Sequence, residues 1–193
     1  MSLVVVALLV GGGALAVGAL WTRRRRPVKE PEEVPALAAR ELFGFPVALG
    51  DVISVAGEEA WLEQGWLLEE AGNAVAAVLF AGDVVVLALP SPRSVLYWLS
   101  VATPPSIADE PPPSLDVDGE HFERARRIPV AVRTLGRAAD PPWDSALLAE
   151  YRALGGVVLW MLARGTQVLC WSGRRVDDSD LENWGGGSST LGQ

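Results

Sequence analysis

From Leu49 to Trp184 the chain consists of short apolar runs separated by breaks that contain glycine, asparagine, aspartate or proline. The clearest runs are DVISVAG, WLLEEAGN, AVAAVLFAGD, VVVLALPSP and SVLYWLSV. Runs of this length with such punctuation are typical of strands joined by hairpins. Ala71–Asn73 and Ala81–Asp83 are the best turn candidates. The sequence therefore predicts a mainly β domain, an antiparallel meander or barrel-like structure.

Two segments in this region are less regular. Glu58–Glu70 is rich in alanine, leucine and glutamate, which favours helix, but Gly65 and the paired tryptophans favour broken strands, and we predict strands. Thr103–Ser114 holds five prolines and is predicted to be a long loop. It separates two halves of the domain, 49–103 and 115–184. The acidic end, DDSDLENW, is predicted to form a short helical turn capped by Ser179.

The two halves resemble each other weakly. Asp51–Glu58 is echoed by Asp116–Glu120, and Val95-Leu-Tyr-Trp98 is echoed by Val168-Leu-Cys-Trp171. These echoes suggest the hypothesis that two related β-meanders pack face to face or share one barrel.

The N-terminal segment Leu3–Trp21 has 19 residues without a charge. As a helix it would span about 28 Å, close to the hydrocarbon thickness of a bilayer. Trp21 stands where an interfacial aromatic residue belongs, and only Met1 and Ser2 precede the run, which disfavours a cleaved signal peptide. Four arginines follow and predict a cytoplasmic flank under the positive-inside rule: Arg23, Arg24, Arg25 and Arg26.

This pattern predicts one N-terminal transmembrane helix in the inner (cytoplasmic) membrane, with the N-terminus outside and the soluble domain in the cytoplasm. Residues 1–26 would be the anchor, 27–48 a charged and proline-rich spacer, 49–184 the β-rich domain and 185–193 a disordered tail. Gly12 and Ala16 form a small-x-x-x-small pair that would allow self-association of the helix.

Charge excludes one large class of partners. Beyond Arg26, 12 basic residues face 24 acidic ones, which is a net charge of −12. A body this acidic will not bind nucleic acid by releasing counterions, and an anionic leaflet would repel it. The single cysteine, Cys170, excludes an intrachain disulfide.

The sequence shows no catalytic, cofactor or metal site. His121 is the only histidine and could pair with Cys170, but no nucleophile motif surrounds either residue, and Cys170 in VLCW reads as a small buried residue. The carboxylates of residues 177–182 lack the spacing of a calcium loop, and the presence of one cysteine and one histidine disfavours a zinc site still more. Neither glycine-rich phosphate motif occurs.

Two residue groups could form an interaction surface. Tryptophans, above all Trp61, Trp66 and Trp98, could line an apolar groove, although most are expected to fill the core. Arg124, Arg126 and Arg127 could dock an acidic partner, although charges also protect strand edges.

The domain resembles a bacterial family known as domain of unknown function 4178, over about residues 49–184. The resemblance is carried by spacing and turns: Leu49-Gly50-Asp51, Tyr97-Trp98-Leu99, Gly119-Glu-His-Phe122 and Trp171-Ser-Gly173-Arg-Arg-Val176. It implies a β-rich domain and an anchored accessory role, as in a membrane-stress system. It implies no catalytic residue.

Together these features predict a membrane-anchored, non-enzymatic accessory or binding module at the cytoplasmic face, with an unknown protein partner. One alternative is a sensor for a small ligand or lipid with a tryptophan-lined pocket. Another is an enzyme of unfamiliar type, whose acids would come from a set of carboxylates: Glu58, Glu59, Glu69 and Glu70.

Overall fold

The computed structural model describes residues 42–138 and 140–184, with the side chain of Trp184 left out. All of them belong to one compact unit, Val34–Gln193. Within these two ranges no helix has the length and apolar character needed to cross a bilayer. The predicted anchor with Gly12, Ala16 and the four arginines, and the predicted C-terminal tail, lie outside the described residues.

Strands dominate the described ranges. In chain order they are β1 (Val52–Val55), β2 (Glu58–Trp61), β3 (Gln64–Glu70), β4 (Asn73–Ala81), β5 (Val84–Leu89), β6 (Val95–Val101), β7 (Ser114–Val117), β8 (Glu120–Gly136), β9 (Ser145–Ala153), β10 (Val157–Arg164), β11 (Gln167–Arg175) and β12 (Leu181–Trp184). The mainly β prediction is confirmed, and turns stand at 71–72 and 82–83 as the sequence indicated. The mixed segment Glu58–Glu70 is two strands, β2 and β3.

Eight strands close into an antiparallel barrel. Their order is β3-β4-β5-β6-β11-β10-β9-β8, and β8 pairs back with β3. Two four-stranded meanders build the ring, β3–β6 before the proline-rich loop and β8–β11 after it. The first strands of the two meanders, β3 and β8, pair with each other, and so do the last strands, β6 and β11. That the two meanders are related in sequence stays a prediction.

Three apolar layers hold the barrel together. The interior is filled by side chains from all eight strands, including Trp66, Tyr97, Trp160 and Trp171. Outside it, the small sheet β12-β1-β2 covers one wall, where Ile53 packs with the outward side chains of β3 to β6. The loop between β6 and β7 and strand β7 itself cover the opposite wall of β9 to β11. The barrel therefore has buried residues on both faces of most strands.

The acidic C-terminal segment differs from its prediction. Residues 178–180 form a turn, and Leu181–Trp184 form β12, which pairs antiparallel with β1. Leu181 packs against the outer apolar layer. The edge of β1 offers backbone N–H and C=O groups, so a strand here forms more backbone hydrogen bonds than a helical turn would. The Ser179 hydroxyl contacts the Asp180 carboxylate at 3.2 Å, so no helix cap forms there.

The proline-rich loop is fastened to the outer wall. The Tyr151 hydroxyl donates to the Pro112 carbonyl at 2.9 Å, and the Cys170 thiol donates to the Ala102 carbonyl at 3.4 Å. Arg124 donates to the Pro111 carbonyl, and Arg127 pairs with Glu110. Burial raises the pKa of Tyr151 to about 12 and that of Cys170 to about 11.

These shifts predict a loss of stability in alkali. Unfolded, the Cys170 thiol ionises near pH 9.0 and the Tyr151 phenol near pH 10.0, and both hold their protons longer when folded. The unfolding equilibrium constant should therefore rise by about tenfold per pH unit for each group, over pH 9 to 11 for Cys170 and 10 to 12 for Tyr151. Urea titrations from pH 8 to 11.5 measure this. Cys170→Ala should flatten the lower part of the profile and Tyr151→Phe the upper part; equal profiles in all three proteins would refute the assignment.

Candidate functional site

An open pocket of about 420 Å³ lies at one end of the barrel, which we call the arginine mouth. The loop between β5 and β6, the turn between β9 and β10 and the end of β11 lie at this end, because consecutive strands are antiparallel. Its lining residues are Leu89, Arg93, Val95, Tyr97, Ala125, Arg126, Glu150, Arg152 and Arg175.

Strand alternation places a carboxylate inside the barrel wall. Ala146 and Leu148 of β9 point into the interior core, and since side chains on one face recur every second residue, Glu150 and Arg152 follow on the same face. Glu150 is 1% exposed. Arg175 enters the mouth by the same rule, two positions beyond Gly173 and four beyond the buried Trp171 on β11.

A β-bulge brings Arg126 to the same place. Arg124 pairs with Tyr151 and Arg126 with Glu150, so two residues advance on β8 for one on β9, with Ala125 as the extra residue. Without this bulge, Arg124 and Arg126 would share one face. With it, Arg124 and Arg127 point outward to the proline-rich loop, and Arg126 points into the mouth.

Glu150 joins two of the arginines. The Nε and Nη2 atoms of Arg152 donate to Glu150 Oε1 at 3.0 and 2.8 Å. Arg126 Nε lies 3.1 Å from Glu150 Oε2. The hydrogen bond to Glu150 raises the pKa of Arg152 above its already high value, so this guanidinium stays charged. The result is an Arg126–Glu150–Arg152 network set into the wall of the barrel.

Aromatic rings form the floor beneath this network. The Arg126 guanidinium carbon lies 5.3 Å from the ring centroid of Trp160, within the range of a cation–π contact. Trp160 in turn meets Tyr97 edge-on, with ring centroids 5.4 Å apart. Burial, and then the negative charge of Glu150, raise the pKa of Tyr97, so the phenol stays protonated at neutral pH. The aromatic floor thereby orients Arg126.

Buried donors of Arg126 and of the aromatic floor beneath it have no acceptor among the described residues. Arg126 Nη2 and Trp160 Nε1 have no hydrogen-bond partner in the described structure, and Arg126 Nε is close to Glu150 without being aligned for a bond. Buried donors are normally satisfied, so each unsatisfied one requires an explanation. An added group that supplies an acceptor oxygen beside Arg126, the one of these two residues that lines the pocket, would satisfy its guanidinium.

The charge of the mouth opposes that of the whole chain. Four arginines and one glutamate line it, a formal charge of +3 in a chain with a net charge of −8. Arg93 and Arg175 form no ion pair with any residue in the described ranges. A concave site with one sign of charge and apolar walls concentrates the opposite ion. The arrangement can therefore bind an anion.

The structure places the three predicted tryptophans in three different environments. Trp66 is buried inside the barrel, edge-on to Phe80 at 4.8 Å and near Trp171 at 6.4 Å. Trp98 is half-buried on the outer wall and donates to Glu58 at 3.3 Å. Trp61 is 59% exposed on β2. None of them lines the arginine mouth.

The residues considered for catalysis are also dispersed. His121 is exposed and contacts Asp116 at 2.8 Å, whereas Cys170 is buried in the opposite-wall core and bonds to Ala102. Glu69 pairs with Arg133 at 3.0 Å, and Glu59 is exposed on β2. These groups converge on no common point with Glu150.

Four charged residues of the site were not predicted from the sequence: Arg93, Glu150, Arg152 and Arg175. One signal was available: in SALLAEYRA, Glu150 is in phase with Ala146 and Leu148, so a strand with this face inward must bury a carboxylate. Arg126 was identified, but its direction depends on the bulge at Ala125, which no residue type in the segment indicates.

Comparison of the chain with protein-family models, curated proteins and solved structures finds no match. The resemblance to domain of unknown function 4178 stays a prediction.

Proposed function

We propose that this protein is a membrane-tethered, non-enzymatic binding module whose arginine mouth takes a small anionic ligand. One observation carries the proposal: four arginines surround a pocket that contains a single carboxylate, and a buried guanidinium nitrogen of Arg126 has no partner there. Guanidinium groups suit this task because they stay charged and present several donors in one plane.

The chemistry of the lining favours binding over catalysis. Arginine does not exchange protons at neutral pH, and Tyr97 keeps its proton because its pKa is raised. Both carboxylate oxygens of Glu150 are engaged by arginines, which hinders its use as a general base. The pocket volume of about 420 Å³ is near the lower end of the range for small-molecule sites.

The tether is the second part of the proposal. The uncharged segment Leu3–Trp21 and the arginines that follow it support an inner-membrane anchor with the barrel in the cytoplasm. An accessory role of the kind implied by the family resemblance would suit a ligand-responsive module held at the membrane.

Alkaline carbonate extraction of cell membranes tests the tether. We expect the full-length chain to stay in the membrane pellet, because high pH releases proteins held by polar contacts but does not extract an apolar helix that spans the bilayer. A chain that starts at Pro27 should be recovered in the supernatant. Release of the full-length chain would contradict the anchor.

A matched pair of neighbouring arginines tests the site. Arg175 lines the mouth, whereas Arg174 alternates to the outer face, opposite Trp98. Arg175→Gln and Arg174→Gln therefore remove the same charge from opposite faces of one strand. Isothermal titration calorimetry of the full-length chain with phosphate, sulfate, malonate and citrate should show binding of at least one anion. Arg175→Gln should weaken it about tenfold or more, the value of a charge-assisted hydrogen bond, and Arg174→Gln less than about twofold. Equal effects of both substitutions would indicate non-specific charge attraction and refute the site.

A further inference from the structure

We propose that the group bound in the arginine mouth is a phosphoryl group, carried as a terminal phosphomonoester on a small soluble molecule. This inference rests on the proposed anion-binding function and adds the chemical class of the ligand.

The donors of the mouth reach the pocket from several sides. The arginines reach the mouth from four separate elements: Arg93 from the loop between β5 and β6, Arg126 from β8, Arg152 from β9 and Arg175 from β11. A carboxylate presents two oxygens in one plane, and one bidentate arginine can satisfy it. A phosphomonoester presents three terminal oxygens that point in different directions. Donors that surround a pocket on several sides fit the second group better.

Glu150 already accepts the paired donors of Arg152, so a ligand must use other donors of the mouth. Glu150 accepts the fork of Arg152 on one oxygen and faces Arg126 Nε with the other. Arg126 Nη2 has no hydrogen-bond partner in the described structure, and Arg93 and Arg175 line the pocket without an ion pair to any described residue. A ligand must accept from these without displacing Glu150, which three divergent oxygens allow.

The charge of the lining also favours a phosphoryl group. The lining has a formal charge of +3 with Glu150 included. A phosphomonoester carries about −1.5 to −2 near neutral pH, compared with −1 for a carboxylate. The phosphomonoester therefore neutralises more of the excess positive charge at the mouth.

The rest of the pocket indicates an organic body on the phosphoryl group. Leu89, Val95 and Ala125 supply apolar contacts on the wall beside the arginines. The volume of about 420 Å³ also exceeds the need of one phosphate ion. A small molecule with a short carbon skeleton fills this space.

The surroundings of the mouth favour a soluble molecule over a lipid. The β7–β8 hairpin pairs with the end of β9 that borders the mouth, as the Phe122–Ala153 pair shows. It carries exposed acids, Asp116, Asp118, Glu120 and Glu123. These charges would be repelled by an anionic bilayer, whereas a small ligand can pass them with little cost because exposed charges are screened by salt.

The test uses the full-length chain in neutral phosphatidylcholine nanodiscs, with calorimetry as the readout. The probes are glycerol 3-phosphate and glycerate, which have three-carbon skeletons and differ in the anionic group, together with inorganic phosphate. We expect the Kd of glycerol 3-phosphate to be at least about tenfold lower than that of glycerate and lower than that of phosphate. Arg175→Gln should raise it about tenfold or more, and Arg174→Gln should leave it within about twofold.

Each contrary outcome has a separate meaning. Glycerate binding as tightly as glycerol 3-phosphate, still with dependence on Arg175, would overturn the phosphoryl assignment and leave the anion site intact. If no probe binds in a way that depends on Arg175, both the phosphoryl assignment and the anion site are wrong. Nanodiscs that contain phosphatidic acid distinguish the source: if they abolish glycerol 3-phosphate binding, the ligand is a lipid headgroup and the soluble source is wrong. Far-UV circular dichroism checks that Arg175→Gln is folded, and Arg93→Gln in the exposed loop serves as a second variant.

Discussion

The charged residues at the mouth depend on one carboxylate that is buried in the wall of the barrel. Glu150 is 1% exposed, and burying an ion of this size costs several kcal/mol unless charged partners compensate. Arg126 and Arg152 supply that compensation from the neighbouring strand and from two residues along the same strand. Two arginines carry more positive charge than one carboxylate can balance. The pairing that stabilises Glu150 therefore leaves a net positive charge at the mouth.

The barrel makes this arrangement rigid. Closure through the β3–β8 pair removes free edges from the ring, and outer apolar layers hold the walls on both sides. The bulge at Ala125 determines which arginines of β8 point outward and which one points into the mouth. Arg124 and Arg127 fasten the proline-rich loop outside, and Arg126 completes the network inside. One extra residue in β8 thus separates the arginines that fasten the loop from the arginine that pairs with Glu150.

Local patterns predicted the local structure well. The turn residues at 71–72 and 82–83 and the prolines of the loop before β7 act through their own backbone preferences, so the sequence alone identifies them. Closure of the barrel was only one of two predicted arrangements, since the β3–β8 and β6–β11 pairs join residues far apart in the chain and depend on the whole core. The prediction of a helical turn at β12 was wrong for the same reason. Its partner, β1, is the first strand of the domain and lies far from β12 along the sequence.

The candidate site was harder to predict than the fold. Its four arginines come from four elements, and only their convergence reveals the excess charge, since along the chain each arginine stands in an ordinary strand or loop. Glu150 alone carried a local signal, because its alternation with Ala146 and Leu148 requires an inward carboxylate. The direction of Arg126 required the bulge, and the pocket volume required the closed ring.

A double-mutant cycle on Glu150 and Arg126, read by urea unfolding at pH 7, tests the central claim most directly. Glu150→Gln should lower the free energy of unfolding by about 3 kcal/mol, because it leaves Arg126 in the wall without a counter-charge. Glu120→Gln, which neutralises an exposed acid on β8, should change it by less than about 0.5 kcal/mol. With Arg126→Gln already present, the cost of Glu150→Gln should fall by more than about 1 kcal/mol, since the stranded charge is gone. Additive effects of the two substitutions, within about 0.5 kcal/mol, would show that the network does not hold the mouth together.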